Sequence, residues 1–157
     1  MKKIGYYTAR GIVSETDTEN GTPQKIPLFD GRFDTGYRVV SFKIWGSHWG
    51  SSSTNPDVIG KLSKNAIGST GAASFMRADD DNQIAWATSG GGLDGGSVPF
   101  AESIIDPDNL IVEDLYVYAR CTGGSDNAVN YLVEMEKYAI SDWQGALAMA
   151  RDRADGE

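Results

Sequence analysis

Short runs in which apolar and polar side chains alternate, or in which β-branched and aromatic residues gather, recur along almost the whole chain, separated by Gly, Asn, Asp and Pro clusters. A period of two sends alternate side chains to opposite faces of a strand, so this punctuation predicts an all-β sandwich or barrel. A first strand is expected over Lys3 to Val13, then a polar turn from Glu15 to Thr22 containing Asn20-Gly21, and a return over Gln24 to Phe29, which together resemble a hairpin with a long loop. From Tyr37 to Trp45 one parity carries Val40, Phe42 and Ile44 and the other Val39, Ser41, Lys43 and Trp45, so the first set is expected in the core. Asp57 to Leu62 and Gln83 to Thr88 read as further strands. The strongest pair is Asn109 to Arg120 and Ala128 to Ile140, joined through Thr122 to Asn127, where Gly123-Gly124 suits a hairpin turn or a short loop. On the last strand Val129, Tyr131, Val133 and Met135 share one side and Glu134 and Glu136 the other.

The pattern changes period once. A helix over about residues 142–153 is expected from Ser141 and Gln144, an S-x-x-Q capping box whose two side chains each satisfy a free backbone N–H. Trp143, Ala146, Leu147, Ala150 and Ala154 fall at i, i+3, i+4, i+7 and i+11, an apolar stripe that predicts a docked face. Gly145 weakens the helix by about 1 kcal/mol relative to alanine, and the Arg151-Asp152-Arg153 end reads as solvated.

At 157 residues the chain has the size of one domain, a single jelly-roll-like β-sandwich over residues 1–157 with a short C-terminal α-helix. With 40% apolar residues it can bury a core, and a net charge of −8 makes a phosphate-neutralising surface, and hence nucleic acid, a poor partner. The charge is uneven: residues 1–78 carry ten Lys/Arg and six Asp/Glu, a net of +4, whereas residues 79–157 carry four and sixteen, a net of −12. Either strands of both halves interleave and average out, or a positive edge of one copy meets a negative edge of the next. Before Arg10 only a handful of apolar residues follow Lys2-Lys3, and no run approaches the length of a membrane span, so a soluble product without membrane partners is expected.

Candidate chemistry thins out on inspection. With His48 the only histidine and Cys121 the only thiol, this chain cannot build a zinc site from two or more His or Cys ligands, nor an internal disulfide, and the thiol is expected to stay reduced in a cytosol. Gly90-Gly91-Gly92-Leu93-Asp94-Gly95 satisfies G-x-G-x-x-G, but Gly96-Ser97-Val98-Pro99 follows where a phosphate-binding helix must open, so it reads as a flexible surface loop. Asp79-Asp80-Asp81-Asn82 and Asp106-Pro107-Asp108-Asn109 offer hard oxygen ligands without the EF-hand spacing and read as Asx-rich turns at strand ends. Glu134 and Glu136 share a face, yet nothing marks the cleft that a glycosidase acid requires, and His48 has no marked orienting carboxylate. No metal, no cofactor and no enzymatic activity are expected.

The aromatic inventory suits contacts better than catalysis. Four tryptophans and seven tyrosines can anchor broad surfaces or stack on sugar rings. Trp45, His48 and Trp49, the last two in an exposed-loop stretch from Ser47 to Pro56, are candidate binding residues. So are Tyr116 and Tyr118, which share a face opposite Leu115 and Val117, and Trp143 on the helix.

Three stretches, Ile26 to Tyr37 (IPLFDGRFDTGY), Ile105 to Tyr118 (IDPDNLIVEDLYVY) and Asn130 to Tyr138 (NYLVEMEKY) with its helical tail, resemble small virion structural proteins of marine tailed bacteriophages, including capsid decoration or cement proteins. The resemblance covers framework strands rather than a catalytic motif. It implies a particle component, made in the host cytoplasm and carried on the virion, that bridges major capsid protein subunits and assembles with itself, a trimer being the expected number. The alternative is a tail-associated carbohydrate-binding module in which Trp49, Trp86 and tyrosines stack on pyranose rings.

Overall fold

A computed structural model describes residues 1–13, 23–46, 58–66, 76–89, 103–121 and 128–155. Among these residues the elements run β1 (Lys2–Val13), β2 (Gln24–Ile26), β3 (Thr35–Gly46), β4 (Val58–Ser63), β5 (Gln83–Ser89), β6 (Ile104–Ile105), β7 (Leu115–Cys121), β8 (Val129–Ala139) and α1 (Asp142–Asp155). They form two antiparallel sheets, ordered β1-β8-β3 and β2-β7-β4-β5-β6. Strand 1 beside 8 and 3, facing 2-7-4-5, is the double winding of a jelly roll, so the expected all-β sandwich with a short C-terminal helix is what the chain forms. The place beside β3 that a fourth strand would fill is held by one bridge, in which Tyr37 and Ile111 exchange both backbone hydrogen bonds at 2.8 Å.

Two hairpin expectations do not survive. β1 and β2 lie in different sheets, as do β7 and β8. β1 instead pairs with β8 from Lys2↔Ala139 to Val13↔Val129, a ladder far longer than three-residue β2 can offer. The inner faces of β7 and β8 both supply core residues, so the two strands oppose each other across the sandwich rather than lying side by side. Residues 109–114, expected as strand, hold only the Ile111 bridge, and the polar turn 15–22 and the linker 122–127 lie outside the described residues.

A second correction concerns parity. The register of β3 against β8 shifts between Val39 and Ser41, and this bulge inserts one residue into the strand. Val39 therefore joins Phe42 and Ile44 in the core, whereas Val40, expected there, is exposed. On β8 the expected split holds, with Val129, Tyr131, Val133 and Met135 inside. Phe42, Leu62, Leu115, Val117 and Val133 meet between the sheets with no measurable exposure.

One carboxylate ties the start of the second sheet together. Asp114 Oδ1 accepts from the N–H groups of Leu28 (3.0 Å) and Phe29 (3.2 Å), and Oδ2 pairs with Lys25 Nζ at 2.8 Å. Burial alone would raise this carboxyl, but Lys25 and the two N–H groups outweigh it and hold it below the usual aspartate value. A depressed carboxylate adds stability that is complete above its unfolded pKa, about 3.9, and is lost as pH falls through the lower folded value. Wild type should therefore lose more stability than Asp114→Asn, which keeps an accepting oxygen, between about pH 5 and pH 2. Urea midpoints at both pH values check this, and equal losses would rule out the charge as the tether.

Candidate contact surface

α1 begins as the sequence specifies. Gln144 N donates to Ser141 Oγ and Ser141 N to Gln144 Oε1, both at 3.2 Å, completing the reciprocal cap. Ile140 N, just before the cap, donates to Asp34 O at 3.0 Å and fixes where the helix leaves the sheet. The docked face, however, is not the apolar stripe. Gly145 and Met149 are buried and Ala148 is half-buried, and Met149 and Ala148 belong to a small second core with Val112, Ile140, Leu110 and Tyr138.

Backbone approach decides which face docks. A Cβ at position 145 would lie 2.0 Å from the carbonyl oxygen of Phe33, so the helix comes this close only where it has no side chain. Two turns on, Lys64 Nζ meets Asp152 Oδ1 at 2.7 Å with the two side chains only 12% and 11% exposed, so within the end expected to be solvated Asp152 is instead an anchor, while Arg151 is exposed as expected. Burial pushes the Asp152 carboxyl above its usual value and Lys64 pulls it back.

The stripe consequently faces outward. Trp143 is 72% and Leu147 52% exposed, and Ala146, Ala150 and Ala154 are exposed with them. Beside it lies an apolar depression of about 200 Å³ lined by Phe33, Ala146, Met149 and Ala150. Phe33 stacks obliquely on Phe29 at 5.8 Å between ring centres, and both rings are partly exposed, so the apolar surface extends from the helix onto the chain that precedes β3.

On the other side of α1 is a groove of about 600 Å³, lined among others by Asp80, Asp81, Trp86, Asp106, Asp108 and Asp152. It brings together the two aspartate clusters that begin at Asp79 and Asp106, 27 positions apart in the sequence. Both contain Asx turns: Asp80 Oδ1 accepts from Asn82 N and Asp106 Oδ1 from Asp108 N, each at 3.0 Å. Asp80 Oδ2 also accepts from Gln83 Nε2 at 3.1 Å, and Gln83 Oε1 accepts from the Trp86 indole N–H at 2.8 Å, which fixes that ring at the groove wall. Among the described residues no cluster of three or more His, Cys, Asp or Glu is arranged to hold a metal ion.

The other candidate binding residues are dispersed. Trp45 is half-buried on the outer face of the first sheet, opposite Asn130. Tyr116 is half-buried on the outer face of the second, paired with Lys25 and lining a depression of about 240 Å³ with Phe29, Asn65 and Asp114. Tyr118 shares that face as expected but is only 1% exposed; its hydroxyl donates to Asn65 O at 3.4 Å, and Lys61 Nζ sits 5.0 Å from the ring centre. Burial raises the Tyr118 phenol to about 12 and lowers the Lys61 amine, against which Asp80 pulls upward. Tyr118 is thus unavailable to a partner. His48 and Trp49, and the glycine loop 90–95, lie outside the described residues. Glu134 and Glu136 sit on the open outer face as expected, with Glu136 engaged by Lys3 and Tyr138 and held below the usual glutamate value by those two donors.

Phe33, Gly145 and the Lys64–Asp152 pair escape the sequence argument. A glycine inside a helical pattern does signal close approach, whereas nothing local links positions 64 and 152. No helix among the described residues is long and apolar enough to cross a membrane. No protein-family model matches the chain, and no curated protein matches it.

Proposed function

We propose that this chain is a non-enzymatic structural protein of a phage virion, a capsid decoration or cement protein that assembles with itself and bridges major capsid protein subunits. The observation that carries this reading is the apolar stripe of α1, with Trp143 at its head, which points away from a sandwich whose own core is already closed. An exposed tryptophan beside leucine and phenylalanine is the composition of an interface anchor. The resemblance of residues 26–37, 105–118 and 130–138 to small virion proteins supplies the kind of partner. The jelly roll is compatible with it but hosts sugar-binding domains too, so the fold alone does not choose. Mechanically, many modest contacts repeated over a shell raise the effective affinity without any one tight site.

Cosedimentation with purified, undecorated capsid shells tests the reading. The chain should bind, and Trp143→Ala/Leu147→Ala should weaken binding by about thirtyfold or more while the protein stays folded, since both side chains are exposed. Unchanged binding would remove the helix from the contact. Retention on a glycan surface with no affinity for shells would favour the tail-associated carbohydrate module instead, with Trp86 in its acid-lined groove as the stacking ring.

A further inference from the structure

The two edges of the first sheet are treated differently. Along β3 the open edge is stitched: Tyr37 exchanges backbone bonds with Ile111, Val39 N donates to the Asn109 side-chain oxygen at 2.9 Å, and the Arg38 guanidinium donates to the Pro107 carbonyl. Along β1, 12 residues long, the only pairing among the described residues is with β8 on the inner side. Its other edge carries no ladder among the described residues, and the strand is flanked by exposed side chains: Tyr6, Arg10 and Ile12 on the outer face of the sheet, with Ile4 at the register shift and Lys2 at the start, Ile4, Tyr6 and Ile12 being 52%, 75% and 47% exposed. A long edge with apolar side chains is a template for association, and cationic residues on it select what associates.

The opposite flank carries the opposite charge. Residues 106–111 lie against β3, two strands away from β1, and residues 106–110 line the 600 Å³ groove with Asp80, Asp81 and Asp152, whose acids outnumber the two cations there, Lys64 and Arg151. Asp81 and Asp108 are exposed there. Within one copy the basic edge and the acidic groove face away from each other across the sheet. Only a second copy brings them together.

We propose that β1 of one copy docks along the acidic groove of the next, head to tail, with Lys2 and Arg10 set against Asp81 and Asp108. Pairing β1 with β1 would bring two basic strands together and leave the acids of the groove unused. A head-to-tail contact uses two different surfaces and closes into a ring when its rotation permits, as a trimer requires. The proposal deepens the self-assembly part of the functional reading and rests on that part, not on the capsid.

Sedimentation velocity on the free protein tests it with two charge-reversal variants, Lys2→Glu/Arg10→Glu and Asp81→Lys/Asp108→Lys. Wild type should assemble. Each variant alone should weaken self-association by at least about tenfold. In an equimolar mixture the intact groove of one variant meets the intact β1 of the other, so mixed complexes of at least two copies should form, and their appearance also shows that both variants are folded. A monomeric wild type, a groove variant that assembles as wild type does, or a mixture that stays dissociated would each overturn the proposal. A monomer that still binds shells would overturn only the head-to-tail contact, whereas an assembled protein that ignores shells would overturn only the capsid reading.

Discussion

Truncating Phe42 to alanine is expected to cost about 3–5 kcal/mol of folding stability, read as a fall in the urea midpoint. The ring has no exposure and stands where both sheets meet, so its removal leaves a cavity that a two-layer core cannot close. For a domain whose total stability lies in the range of about 5–15 kcal/mol, that is at least about a fifth of the margin. The control lies two residues away. Simple alternation puts Val40 and Phe42 on one face, but the bulge turns Val40 outward, so Val40→Ala should stay within about 0.5 kcal/mol. Val39→Ala, inside the core, should cost clearly more. Equal costs at 39 and 40 would mean that the register shift is misplaced.

Gly145→Ala sets two effects of opposite sign against each other. Helix propensity favours alanine by about 1 kcal/mol at an interior position. Packing opposes it, because the new methyl would lie 2.0 Å from a backbone carbonyl that is not the end of a flexible side chain. The helix must lift away, which exposes Met149 and separates Lys64 from Asp152. Losing the packing of a buried methionine alone costs about 2–5 kcal/mol, so destabilisation should win. Hydrogen exchange would show faster exchange in α1 and at Ile140 while the β8 ladder stays protected. A stabilised Gly145→Ala would mean that α1 does not touch Phe33.

How much of this was legible beforehand follows from how local each determinant is. The capping box of α1, the two faces of β8 and the strands around 35–46, 58–63 and 83–89 are written in neighbouring residues and can be read directly. The β3 bulge cannot, since it depends on which residue of β8 stands opposite. The two hairpins failed because proximity in sequence stood in for pairing, whereas the ladder that forms joins residues more than a hundred positions apart. The stripe of α1 was read correctly as apolar and wrongly as docked: hydrophobicity ranks the faces, but the absent side chain of Gly145 decides which one comes close. Of the candidate contact residues, Trp143 is presented, Trp45 and Tyr116 are half-buried on opposite sheets, and Tyr118 is enclosed. The acid-lined groove was visible only as two turns, because what unites Asp80 with Asp106 is the pairing of β5 with β6.

The central seat of β8 sets the order of events during synthesis. β1 leaves the ribosome long before its partner: Val13 waits for Val129 and Lys2 for Ala139. At about 5–20 residues per second that delay is several seconds to tens of seconds, during which twelve residues bearing Tyr6, Tyr7 and Ile12 have no ladder to join. Ribosome-bound chains stopped before residue 129 should therefore be captured by chaperones or clump together. The first sheet can zip shut only after residues 129–139 have been translated.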